Sequence, residues 1–168
     1  AFGELGDTFR QLGKFPQALL MLIAFLIYND GIGTIIRMAT AYGSEIGIGD
    51  ADLIAAIMIT QFVGIPFAFL FGGLAGKIGA KRAIFLGLVA YMVISMLGYR
   101  MQTARDFLVL ALLVGVVQGG TQALSRSLFA SMIPRQRSAE FFGFFAVVEK
   151  FAGIFGPWIF ARVITATG

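Results

Sequence analysis

Five apolar runs constrain this chain more than any other feature, each long enough to cross a bilayer and each set off by a short charged or turn-rich connection. A helix rises about 1.5 Å per residue, so roughly 20 mainly apolar residues span the hydrocarbon. The runs lie at about 16–42, 51–75, 83–99, 107–130 and 139–164. Between them stand SEIGIGDAD (44–52), GKIGAKR (76–82), YRMQTARD (99–106) and IPRQRSAE (133–140). Connections this short make sequence neighbours antiparallel neighbours in space. The runs are continuous and do not alternate polar with apolar residues, which argues against a transmembrane β-barrel. The expectation is an all-α membrane protein: a five-span helical bundle over residues 16–164, surrounded by the lipid bilayer. Ahead of it, Phe2, Leu5, Phe9 and Leu12 recur at helical spacing among Glu4, Asp7, Arg10 and Lys14. That pattern predicts an amphipathic segment over 1–15 lying on the membrane surface, at the end of a cytoplasmic linker. The first residue is Ala1, and no signal-peptide core precedes the first run, so the sequence reads as an excerpt of a longer chain.

Composition narrows the chemistry. The chain is 58% hydrophobic and 13% charged, where soluble domains carry about a quarter charged residues. It has no Cys and no His, so it offers no disulfide framework, no thiolate or imidazole metal site and no Ser-His-Asp triad. No cofactor and no enzymatic activity are expected; an acid pair such as Asp30 and Glu149 would be the sole catalytic option. The net charge of +4 comes without a basic patch interleaved with aromatics, so no nucleic-acid partner is expected. The cations instead report orientation. Eight of the 13 Lys and Arg flank one set of connections (Arg10, Lys14, Lys77, Lys81, Arg82, Arg126, Arg135, Arg137) and three the other (Arg100, Arg105, Arg162), with Arg37 and Lys150 inside runs. By the positive-inside rule the N-terminus, the 76–82 loop and the 133–140 loop are cytoplasmic.

Polar groups at mid-depth are the candidate functional residues, because hydrocarbon tolerates them poorly. Asp30 lies about 21 Å along the first run, within Tyr28-Asn29-Asp30-Gly31-Ile32-Gly33-Thr34, where paired glycines can loosen the helix toward a cavity. Gln61 lies about 15 Å into the second run, Gln118 about 16 Å into the fourth, and Glu149 and Lys150 about 15 Å into the fifth. Gln118, Gln122 and Ser125 share one helical face, flanked by Thr121. Asp30, Asn29, Gln61, Gln118, Gln122, Glu149 and Lys150 are therefore read as a substrate or proton site, against the alternative of interhelical hydrogen bonds and an internally neutralised Glu149 and Lys150 pair. Arg37 is either a distant partner of Asp30 or snorkels to the interface. The third run has only Tyr91 and Ser95 at mid-depth and reads as the peripheral helix. Gly64, Ala68, Gly72 and Gly76 in the second run and Gly115, Gly119 and Ala123 in the fourth repeat every four residues, a packing pattern that lets helices approach closely. Pro66 and Pro157 fall inside runs, as kinks or flexing points.

The segment GGLAGKIGAKR (72–82) resembles the cytoplasmic loop signature of the major facilitator superfamily, G-x-x-x-D-[RK]-x-G-[RK]-[RK], matching at Gly72, Lys77, Gly79 and Lys81, with Gly76 in the acidic position and Ala80 in a basic one. FLIYNDGIGTIIRMA (25–39), TQFVGIPFAFLFG (60–72), QGGTQALSRSLFASMIP (118–134), AEFFGFF and EKFAGIFGP (139–157) together look like the C-terminal half of the vacuolar amino-acid effluxer family and its bacterial relatives. The resemblance implies helices 7 to 11 of twelve in a secondary transporter, with Gly72, Lys77, Gly79, Lys81 and Arg82 as a gating loop. It implies as partners the missing N-terminal half and last helix, and a small-molecule solute, with amino acids as the candidate. For the bacterial relatives the location would be the plasma membrane. A rival reading is a non-transporting membrane subunit that packs against another complex.

Overall fold

The computed structural model describes residues 11–167, which are helical almost throughout. Five helices follow one another: α1 (Pro16–Glu45), α2 (Asp50–Ile78), α3 (Ala80–Gly98), α4 (Ala104–Met132) and, after a single 3-10 turn at Arg135–Arg137, α5 (Ser138–Thr167). The first four are long and apolar enough to cross a membrane. The surface amphipathic segment expected over 1–15 lies largely outside the described residues; of it, Leu12 is fully buried.

Each connection has a local cause. After α1, Gly47 takes φ +84°, Ile48 N–H donates to Gly43 O (2.9 Å) and Gly47 N–H to Ser44 O (3.1 Å). This is a Schellman ending, in which glycine avoids the Cβ clash of positive φ. The stretch expected as a loop at 76–82 is a single residue: α2 runs to Ile78 and α3 starts at Ala80. Gly79, at φ +90° and ψ 146°, makes the reversal possible, and Lys77, Lys81 and Arg82 are helical and exposed. The apolar run alone could not place these ends, because helix continues into polar sequence wherever its terminal groups find water or a cap. At the start of α4, Thr103 N–H (3.0 Å) and Oγ1 (2.8 Å) donate to Asp106 Oδ2, and Asp106 N–H donates back to Thr103 Oγ1 (3.2 Å). That reciprocal cap satisfies orphan donors of the first turn.

The chain forms two compact units, one of residues up to Thr34 together with those from Phe129 onward, the other Ile35–Leu128. In the first, Leu12, Ala18, Leu22 and Phe25 pack with Phe129, Ile133, Phe141 and Phe145. Phe145 sits 4.5 Å from Phe25 and 5.1 Å from Phe129, centroid to centroid. The phenylalanine-rich stretch at 141–145 thus serves neighbouring helices. Arg137 and Glu140 pair at 2.9 Å beside the 3-10 turn.

In the second unit, α2 and α4 meet backbone to backbone. A Cβ on Gly119 would run into the Gly64 backbone, and one on Gly115 would come within 2.8 Å of Thr60 O. Thr60 Oγ1 donates across this contact to Ala111 O (3.1 Å). The glycine pattern therefore holds at Gly64, Gly115 and Gly119; Gly72 and Gly76 face open space. Helix α3 buries Ala83, Ile84, Gly87, Tyr91 and Ile94, with Gly87 against Thr121 and Phe71, and exposes Phe85, Met92 and Met96 on its other side. Ile48, Leu53, Ala56, Met101 and Phe107 form one cluster. It brings the α1–α2 and α3–α4 connections to the same end, as antiparallel neighbours require.

Candidate functional site

The polar residues singled out in the sequence fall into both units. In the first, Asp30 and Thr34 lie one turn apart on α1, and Thr34 Oγ1 donates to Asp30 O (2.8 Å). Gly156 of α5 closes over them: a Cβ there would strike Thr34 Oγ1 and lie 3.0 Å from Asp30 Oδ2. Asp30 Oδ1 is buried and has no hydrogen-bond partner among the described residues. Burying an acceptor without a donor is costly. Asn29 is half-buried beside it. Glu149 is half-buried and Lys150 exposed, the divergence that about 100° per residue requires. Arg37 is exposed.

In the second unit, the ends of α1, α2 and α4 enclose a partly open cavity of about 250 Å³. Gln61 and Gln118 both lie on its wall, joined by Thr40 and Thr60, with Ile36, Phe107 and Val114 among the apolar residues. Gln118 Oε1 is buried without a partner among the described residues. Gln122 is half-buried and away from this wall, and Ser125 is fully buried, its hydroxyl donating to Thr121 O (2.5 Å). The stripe read along α4 is thus divided: its Gln118 end meets a cavity and its Ser125 end meets protein. Thr40 and Thr60 escaped the sequence reading. Each donates to a carbonyl one turn back, Ile36 O and Ala56 O, as membrane threonines commonly do, so nothing in the sequence marks them as cavity residues.

Among the described residues no group of three or more acids, Cys or His could hold a metal ion. What the two places share is a buried side-chain oxygen, Asp30 Oδ1 or Gln118 Oε1, without a hydrogen-bond partner among the described residues.

A family model described as "Vacuole effluxer Atg22 like" matches residues 1–168, the whole chain. The chain belongs to the Atg22-like vacuole effluxer family. It is 42% identical, over its full length, to an uncharacterized MFS-type transporter of Bacillus subtilis, of which it covers 39%. It is 26% identical to autophagy-related protein 22 of Candida glabrata, with 97% of this chain and 32% of that protein aligned. Autophagy-related protein 22-1 of Aspergillus niger is 27% identical over 95% of this chain and 28% of its own length. The chain therefore spans less than two fifths of the curated relatives it matches. No solved structure matches. This is the family that the motifs at 25–39, 60–72 and 118–157 resemble. With four spanning-length helices in an Atg22-like chain, the protein is an integral, multi-pass membrane protein of a transporter family.

Proposed function

We propose that this chain forms part of a secondary active transporter that carries a small solute, amino acids being the candidates, by alternating access. In this reading α1 to α5 are helices 7 to 11 of twelve in a major facilitator fold, and residues 16–164 form one transmembrane bundle with α5 as its fifth span. The missing N-terminal half and last helix would complete the cavity. The N-terminus, the Gly79 turn and the 133–140 connection face the cytoplasm, and the membrane is a bacterial plasma membrane. Transport rather than catalysis is the task, in keeping with the names of the relatives.

The observation that carries this reading is the buried Asp30 Oδ1, which has no partner among the described residues and lies in a helix of spanning length. An acid at that depth is costly and is characteristic of substrate or proton pathways. Alternating access supplies what the static notch lacks, since movement of α5 away from Asp30 and Thr34 would admit a cation, a proton or a solute donor. Gly72, Lys77, Gly79, Lys81 and Arg82 would form the cytoplasmic gate, with Gly79 as its fixed reversal.

Asp30→Asn in the full-length protein, reconstituted in vesicles, tests this reading. The substitution keeps shape and removes ionisation. We expect gradient-driven uptake to fall at least a hundredfold with folding nearly intact. Surviving solute counterflow would assign Asp30 to ion coupling, and its loss would assign Asp30 to solute binding. Uptake equal to wild type would reduce Asp30 to an interhelical contact and overturn the site.

A further inference from the structure

We propose that Gly156 is the positioning residue of the Asp30 site: its missing side chain lets α5 seat directly on Asp30 and Thr34, and a bend of α5 at Gly156 and Pro157 uncovers the carboxyl. The inference rests on the reading of Asp30 as the transport site and adds to it the device that regulates access.

Three features of the contact support it. First, the approach is too close for any side chain. A Cβ on Gly156 would strike Thr34 Oγ1 and come within 3.0 Å of both Thr34 Cβ and Asp30 Oδ2. This tightness is local, because a Cβ on Gly143 of the same helix would meet nothing within 4 Å. Second, the surface that Gly156 meets does not turn aside. Thr34 Oγ1 donates to Asp30 O (2.8 Å), which fixes its rotamer, and Thr34 Cβ moves only with the backbone of α1. A methyl at position 156 is therefore accommodated by moving α5 off by at least about 0.5 Å, the gap between 3.0 Å and ordinary carbon contact. Third, glycine and proline are the poorest helix formers, yet α5 runs through both at this point. Pro157 brings no N–H to the helix, and helices kink at proline. The restraint on α5 is thus weakest where the helix covers Asp30.

Two neighbouring substitutions then act in opposite directions. Gly156→Ala holds α5 away from α1 and leaves the carboxyl uncovered. Pro157→Ala restores a backbone donor, stiffens α5 and leaves the glycine contact in place, so the carboxyl is uncovered less often.

Dicyclohexylcarbodiimide, an apolar reagent that adds to a protonated carboxyl and stays attached as an N-acylurea, reads this access in the full-length protein in nanodiscs. Mass spectrometry follows labelling at Asp30 relative to the exposed Asp106. Gly156→Ala should label at least about fivefold faster than wild type, and Pro157→Ala at least about threefold slower. Gly143→Ala, the control for an added methyl on α5, should match wild type. Adding Thr34→Ala to Gly156→Ala removes the oxygen that the methyl strikes and should bring the rate back toward that of Thr34→Ala alone. General loosening of α5 would speed labelling in every variant. Equal rates in wild type and Gly156→Ala, faster labelling in Pro157→Ala, or an equal rise in Gly143→Ala would each overturn the proposal. If Gly156→Ala does not fold, Pro157→Ala carries the decision: slower labelling supports the device, and an unchanged or faster rate overturns it. Labelling needs no gradient and no solute, so it is separate from the Asp30→Asn uptake experiment. Unmoved labelling with an inactive Asp30→Asn would remove the device and keep the site, whereas shifted labelling with an active Asp30→Asn would keep the contact and remove the site.

Discussion

The two units solve the same packing problem by opposite means. In the unit that holds Phe25, Phe129, Phe141 and Phe145, rings fill the space between helices, and Phe129 and Phe141 are fully buried. In the Ile35–Leu128 unit, α2 and α4 touch where Gly64 meets Gly119, so contact is made by side chains that are missing. In lipid neither device gains from removing apolar surface from water; both rely on dispersion and close fit. The difference shows in what remains between helices. Helices that touch at one point diverge away from it, and beside the glycine contact, where Thr60, Val114 and Gln118 stand, lies the cavity. In the ring-packed unit, Gly156 closes onto Asp30 and Thr34.

Substitutions can break this comparison. The largest effect is expected for Phe145→Ala. Removing a ring that stacks against Phe25 and Phe129 should cost about 3 kcal/mol in reversible unfolding of the full-length protein in mixed micelles. A cost below that of Gly119→Ala would mean that rings are not what holds their unit. Gly119→Ala should itself cost about 2 kcal/mol, because the added methyl meets the Gly64 backbone, which cannot rotate aside. Its control is Gly72→Ala, where nothing lies within 4 Å; the gain in helix propensity should make this change neutral or stabilising by up to about 1 kcal/mol. Losses of equal size at both glycines would refute the crossing. The smallest loss is expected for Thr60→Val, which keeps the shape and deletes the 3.1 Å bond to Ala111 O. It should cost about 0.6 kcal/mol; a loss above about 2 kcal/mol would transfer the stability of the crossing from glycine contact to that hydroxyl.

The sequence by itself determined the class and the helices. Unbroken apolar length in a medium without water forces backbone groups to pair within each segment, so the five runs predicted the five helices and the short connections their antiparallel order. Position along a helix follows from residue count, and for that reason Asp30 and Gln118 stand near the middle of α1 and α4. Even the glycine contact was half legible: a four-residue spacing names a face, although Gly64, Gly72, Gly76, Gly115 and Gly119 look alike until the fold sets a partner against Gly64, Gly115 and Gly119 and leaves Gly72 and Gly76 open. Tertiary structure decided the rest. It placed Gln61 and Gln118 on one cavity wall and turned Gln122 away. It set Gly156 against Asp30 and gave Gly79 the reversal that compresses an expected loop into one residue. The physical reason is range: apolar length and helical periodicity are local properties of consecutive residues, whereas a cavity or a notch depends on which faces of distant segments meet.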